Sequence, residues 1–340
     1  MKTFNGADLV HFSDLPKYLE IIEKELINIL PIDSLYISDP VRRLINAKSK
    51  RIRPSILLGI VANLDGEIND EVISACVAIE LVHIASLIHD DIVDHANTRW
   101  LIPTINSKEG LEYAVIIGDY IFAKANEKAA SVSQEVALVI ARTIALICDG
   151  EARELTDEFN INRSMSSLIK CIEGKTAALI SAACNIGGLC SGLPSKDIYA
   201  LNKFGYYFGI SFQFIDDLLD FLSNEKILGK AVANDVREGV YTMPTLLGIN
   251  NKESSTIKLI NDKKYNQIAS ELIKSGSIEK SIVLAYEYNK LAAKELKIFS
   301  NKDVAKIISE IPINYFNWSI RNLVDIKYQP EISKILKALY

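Results

Sequence analysis

Two stretches of the chain each place three aspartates within five residues: Asp90, Asp91 and Asp94 in SLIHDDIVDHANTRW, and Asp216, Asp217 and Asp220 in SFQFIDDLLDF. The first and last of each set are four apart, so on a helix they share one face about a turn apart. Like charges so placed destabilise a bare helix by roughly 0.2–0.5 kcal/mol. The apolar runs beside them add a desolvation penalty unless a cation neutralises the carboxylates. Carboxylate oxygens suit Mg²⁺, which keeps several waters and is commonly shared with substrate phosphates. A single cluster reads equally as a solvated patch at a helix end. Two in one chain favour a pair of acidic walls that hold several Mg²⁺ ions and, through them, a diphosphate.

Basic residues complete an anion site. KSKRIRP sets Lys50, Arg51 and Arg53 just ahead of a helix, and Arg99 follows the first cluster. Lys175 opens a helix in GKTAAL, and Lys230 follows the second cluster in LGKAVAND. Each of these taken alone is an ordinary surface charge. GKT lacks the upstream glycine and the preceding strand of a phosphate-binding loop. His83, His89 and His95 are six apart, a spacing that does not place them on one helix face as zinc ligands.

The elements that must position these residues read as helices. Apolar residues recur three and four apart over 71–88, 112–130, 134–148, 175–190, 199–222 and 281–298. Pro54 suits the first turn of a helix that runs through Ile60. Glycine and proline cluster at the breaks, and no alternating strand pattern or low-complexity linker intervenes. The expectation is an all-α single domain over residues 1–340: a bundle of ten or more helices around a deep central cavity, its innermost helices apolar nearly all round.

With 49% hydrophobic and 24% charged residues and a net charge of −5, the composition is globular and predicts no nucleic-acid partner. The five cysteines form no CxxC pair and read as buried free thiols. The start lacks a signal-peptide run, and no uncharged apolar stretch is long enough to span a membrane. A cytoplasmic chain is the expectation.

In order and spacing, these stretches resemble the trans-isoprenyl diphosphate synthase (polyprenyl synthetase) family. KRIRP is similar to that family's GGKRxRP, and ELVHIASLIHDDIVD to the helix that carries its first aspartate-rich motif. IPT, GDYIFA, GKTAAL and FQFIDDLLD resemble further family blocks. The resemblance covers a core of about 50–245, with helices 246–340 following. It implies the isoprenoid synthase fold and Mg²⁺-dependent head-to-tail condensation of isopentenyl diphosphate with an allylic diphosphate. In that scheme Asp90, Asp94 and Asp216 ligate three Mg²⁺ ions, and Asp91, Asp217 and Asp220 complete the acidic walls. Arg99, Lys175 and Lys230 contact the allylic diphosphate, while Lys50, Arg53 and His83 hold isopentenyl diphosphate. Thr176, Phe212 and Gln213 line or stabilise the reacting centre, and the chain forms a homodimer.

The chain departs from the family pattern at four places. Lys48–Ser49 replaces the double glycine, Trp100 the second arginine, Leu101 the glycine after it, and Val240 the lysine after EG. Trp100 removes one charge-assisted contact to isopentenyl diphosphate, worth about 1.5–3 kcal/mol. Transfer to another acceptor, terpene cyclisation and a noncatalytic partner role stay open, but three of the isopentenyl contacts remain and favour chain elongation. In the family, bulky residues four and five before the first aspartate stop growth; here Ala85 and Ser86 are small. The tail would run past Ala85 toward Val82, giving geranylgeranyl diphosphate or a longer product, with geranylgeranyl first choice. Ile116, Ile117 or Tyr120 would otherwise close the cavity.

Overall fold

A computed structural model describes residues 9–10, 12–47, 50–64, 66–100, 102–224, 227, 232–299 and 302–339. Helices dominate, as the periodicity predicts. They are α1 (Leu15–Asn28), α2 (Leu35–Ile45), α3 (Ile52–Asn63), α4 (Asp70–Val93), α5 (Ile105–Lys108), α6 (Leu111–Val132), α7 (Gln134–Thr156), α8 (Met165–Ile172), α9 (Ala178–Cys190) and α10 (Ser195–Leu222). Beyond these come Met243–Ile249, Tyr265–Lys274, Ser277–Glu295, Ile311–Leu323 and Gln329–Leu339 among others. A hairpin that the sequence does not announce pairs β1 (Thr98–Arg99) with β2 (Ile102–Pro103), in the register Thr98↔Pro103 and Arg99↔Ile102. Strands of two residues are too short to show alternation.

Backbone contacts divide the chain into two compact units. The first comprises 1–145, 179–205 and 296–308; the second comprises 146–178, 206–295 and 309–340. In the first, α4 is the central helix. Asn69 caps it by accepting from the Val72 N–H at 3.1 Å, and Asp70 and Glu71 complement the positive end of its dipole. From Val72 to Ile88 nearly every α4 side chain is buried, against α1, α3 and α6. That burial explains why α4 alone among the described helices is long and apolar enough to cross a membrane. Burying each of its valines and isoleucines contributes about 1.5–3 kcal/mol.

In the second unit, helix Ser277–Glu295 packs against Met243–Ile249, Tyr265–Lys274, Ile311–Leu323 and Gln329–Leu339. Phe208, Phe214, Phe221, Tyr315 and Phe316 are fully buried there. The Ser211 hydroxyl donates to the Ala285 carbonyl at 2.8 Å, tying α10 to that helix. Of the five thiols, Cys76, Cys171 and Cys184 are buried as expected, Cys190 is half-buried and Cys148 is exposed.

Candidate active site

Both aspartate clusters occupy the C-terminal ends of their helices, Asp94 capping α4 and Asp220 lying two residues before the end of α10. Negative charge there opposes the helix dipole, at about 0.3–1 kcal/mol per exposed carboxylate. Exposure divides the six side chains. Asp91, Asp217 and Asp220 are only 3%, 2% and 2% exposed. Asp90 and Asp216 are half-buried and Asp94 is exposed. The outward set is the one that the family resemblance makes the metal ligands.

Each inward aspartate performs structural work. Arg99 Nε donates to Asp91 Oδ1 at 2.8 Å, and Asn106 Nδ2 donates to the Asp91 carbonyl at 3.1 Å. Burial pushes the Asp91 carboxyl above the ordinary range, while Arg99 pulls it back. The Thr104 hydroxyl donates to the Ala96 carbonyl at 2.7 Å and also caps α5, so IPT acts as a clamp on the loop after the first cluster. Asp220 does the equivalent after the second cluster, accepting from the Asp235 N–H at 3.3 Å while its carbonyl accepts from the Ala233 N–H at 2.9 Å. Asp217 accepts from Gln213 Nε2 at 2.9 Å, and Thr176 Oγ1 donates to Gln213 Oε1 at 2.6 Å. Burial holds the Asp217 carboxyl well above the ordinary carboxylate range.

Among the described residues no three His, Cys, Asp or Glu side chains converge into a cage for a metal ion. Mg²⁺ needs none, since it is typically held by one or two carboxylates with waters and substrate phosphates filling the other positions. Asp90, Asp94 and Asp216 fit that donor role: hard oxygens on side chains that are not sealed in the core.

In the second unit, Lys175 lies on a π-helical turn, Glu173–Ala177, between α8 and α9. Its ammonium is held by Glu151, at 3.0 Å, and by Glu154, both from α7. Tyr206 OH donates to Glu173 on the same turn. Two glycines permit this approach. A Cβ on Gly174 would lie 2.4 Å from the Leu146 carbonyl oxygen, and one on Gly150 2.5 Å from the Lys175 backbone nitrogen. Glu151 and Glu154 were not singled out in the sequence, although two acids three apart in DGEAREL on an apolar helix are a usable signal.

In the first unit, KRIRP divides its labour. Lys50 is exposed and Arg53 half-buried, whereas Arg51 is 5% exposed and turned inward. Arg51 Nε and Nη2 donate to Glu23 at 2.5 and 2.9 Å, Nη1 to Glu80 at 2.7 Å, and Nη2 also to the Ile45 carbonyl at 3.0 Å. Its backbone, at φ +44°, starts α3 from the left-handed region. His83 follows Glu80 by three on α4. Burial, then Arg53, Arg99 and Arg51, hold its imidazole well below its ordinary pKa. His83, Arg53 and Arg99, three of the expected anion-binding residues, thus share one electrostatic neighbourhood.

Gly118 of GDYIFA explains how α6 meets α4. A Cβ there would lie 2.1 Å from His89 Nε2, immediately before Asp90. Val82 and Ala85 are fully buried and Ser86 is half-buried, its hydroxyl donating to the His83 carbonyl at 2.9 Å. Ile117 is buried, Tyr120 half-buried and Ile116 57% exposed. Trp100, 43% exposed, sits at the hairpin tip with φ +50°. Phe212 stacks on Tyr315 with ring centroids 4.4 Å apart. Lys230, Lys48–Ser49 and Leu101 lie outside the described residues.

Comparison with known proteins adds the kinship. Residues 35–275 match the polyprenyl synthetase family. The chain is 34% identical over 291 residues to heptaprenyl diphosphate synthase component 2 of Bacillus subtilis, covering 84% of this chain and 83% of that one. It is 34% identical over 298 residues to a geranylgeranyl diphosphate synthase of Sulfolobus acidocaldarius, covering 82% and 90%. Its fold superposes on a polyprenyl synthase from Caulobacter crescentus, solved with calcium and isoprenyl diphosphate, with a TM-score of 0.83, 27% identity and coverage of 93% and 98%. The family match, the relatives at this identity and the shared all-α architecture agree, and the chain belongs to the polyprenyl synthetase family.

Proposed function

We propose that the chain joins isopentenyl diphosphate head to tail to an allylic diphosphate, and that its product is geranylgeranyl diphosphate or a longer trans-polyprenyl diphosphate. The observation that carries this reading is the split of the six aspartates: Asp90, Asp94 and Asp216 are the less buried three, while Asp91 and Asp220 hold the segments that follow their helices and Asp217 bonds to Gln213 of its own helix. Bound Mg²⁺, three ions in the family scheme, would neutralise charge building on the leaving diphosphate and lower the ionisation barrier. The chain's residues do the rest. Asp90, Asp94 and Asp216 supply carboxylate oxygens. In the family scheme Arg99, Lys175 and Lys230 contact the leaving diphosphate, and in this chain Glu151 and Glu154 hold the Lys175 ammonium. Lys50, Arg53 and His83 orient the isopentenyl diphosphate. The C1–O bond breaks with its electron pair going to diphosphate. The isopentenyl double bond attacks C1, and a proton then passes to the departing diphosphate. Apolar walls keep water from quenching the allylic cation, and Thr176, Gln213 and Phe212 line this centre.

Incubation of purified protein with Mg²⁺, farnesyl diphosphate and isopentenyl diphosphate tests the reading, with elongated product resolved by chromatography. Hydrolysis of the allylic substrate without elongation would overturn it in favour of another acceptor, a cyclase or a partner subunit. The relative named as component 2 motivates running the assay on the chain alone. We expect a homodimer, supported by the exposed α6 residues Tyr113, Val115 and Ile116; light scattering at the monomer mass would contradict it.

Two variants probe substrate and product. Trp100→Arg, restoring the family's arginine, is expected to lower KM for isopentenyl diphosphate about tenfold, the size of one charge-assisted contact, with KM for the allylic substrate unmoved. An unchanged isopentenyl KM would show that position 100 does not reach that diphosphate. Ser86→Phe is expected to shorten the product. It is a cleaner test than Ala85→Phe, because a ring at a fully buried alanine overpacks the core by about 1–3 kcal/mol. An unshortened product would show that the tail runs elsewhere.

A further inference from the structure

Helix Ile311–Leu323 lies beyond the residues that match the family, yet it reaches the second aspartate cluster within the second unit. Tyr315 is fully buried. Its ring stacks on Phe212 at 4.4 Å and 16° and meets Phe208 edge-on at 6.3 Å and 70°. Its hydroxyl donates to Asp216 Oδ1 at 2.9 Å. A buried phenol set among aromatic rings needs a polar partner, and here the partner is a carboxylate. Of the three aspartates in this cluster, Asp216 is the one not turned into the core.

We propose that Tyr315 is a positioning residue for Asp216, aiming its carboxylate and fixing the Phe212 ring beside it. The inference rests on the reading of Asp216 as a metal-binding carboxylate. A phenol O–H donated to a carboxylate restricts rotation about the terminal torsion of the aspartate and so fixes the direction of its oxygens. Groups that orient metal-binding carboxylates in this way commonly change affinity by about 10–100-fold when removed. Tyr315 and Asp216, 99 positions apart in the sequence, thus meet in one contact.

Tyr315→Phe keeps the ring and its stacking and removes only the donor. Binding of Mn²⁺ to the full chain in the presence of inorganic pyrophosphate, followed by electron paramagnetic resonance, reads the effect without turnover. The variant is expected to bind about tenfold more weakly, with its thermal midpoint close to that of the unaltered chain. In the Asp216→Asn background the same substitution is expected to add nothing, because the two side chains act as one unit. Equal Mn²⁺ binding by Tyr315→Phe and the unaltered chain would overturn the inference and leave the metal reading standing. So would equal weakening in both backgrounds, which marks a merely structural role. No pyrophosphate-dependent Mn²⁺ binding by the unaltered chain would overturn the metal reading, and the inference with it.

Discussion

Asp90→Asn and Asp216→Asn are each expected to lower kcat about a thousandfold or more, an effect of some 4 kcal/mol on the barrier, while leaving the thermal midpoint nearly unmoved. Both side chains are half-buried, and the charge of Asp90 opposes the negative end of α4. Asp216→Asn also keeps an amide oxygen that can accept from Tyr315, so the effect on stability is expected to be small beside the loss of kcat. The inward aspartates predict the reverse balance. Asp91→Asn weakens the bond from Arg99 and loosens the hairpin, so its larger effect is on stability, with a smaller loss of kcat. Steady-state kinetics beside thermal denaturation of the two sets makes the comparison. If Asp91→Asn matched Asp90→Asn in kcat at unchanged stability, the division of the clusters by exposure would be wrong.

Arg51→Met is expected to cost about 3–5 kcal/mol of stability, because it breaks the buried ion pair with Glu80 and the bonds to Glu23. For a chain of this length that corresponds to a fall of about 5 °C in the midpoint. Glu80 is 1% exposed. The double variant Arg51→Met/Glu80→Gln is expected to recover part of the loss, since it no longer buries an uncompensated charge. KM for isopentenyl diphosphate should rise in the single variant, because Arg51 anchors the segment that presents Lys50 and Arg53 to either side of it. Calorimetry of the three proteins decides the matter: no recovery in the double variant would mean that packing of the long side chain, rather than its charge, is what matters.

The first cluster was legible from spacing alone. Asp90 and Asp94 share a helix face and point outward, while Asp91, a hundred degrees round the helix, points in. At the second cluster the spacing again places Asp216 and Asp220 on one face of α10, but Asp220 is buried because the 233–235 segment folds over it and bonds to it. That cover depends on contacts between distant parts of the chain, which helical periodicity does not encode. KRIRP illustrates a similar limit. Three cations in four residues look interchangeable, and only the placement of Glu23 and Glu80 shows that the middle one is structural. Tyr315 gave no signal, being one of three aromatic residues in its helix with nothing in the spacing to set it apart. The α-helical class, by contrast, was written throughout in apolar residues three and four apart.

The π-helical turn at Glu173–Ala177 makes that stretch one residue longer than an unbroken α-helix from Met165 would require. Deleting one residue within it would heal the backbone hydrogen bonding. It would also turn Met165–Ile172 by about 100° relative to Lys175 and Thr176, and so dissociate the contacts to Glu151, Glu154 and Gln213 from the helix that leads into them. The shorter chain would be locally more regular and catalytically misaligned. The extra residue thus behaves as a frozen insertion, against which every single-residue deletion in this helix can be scored.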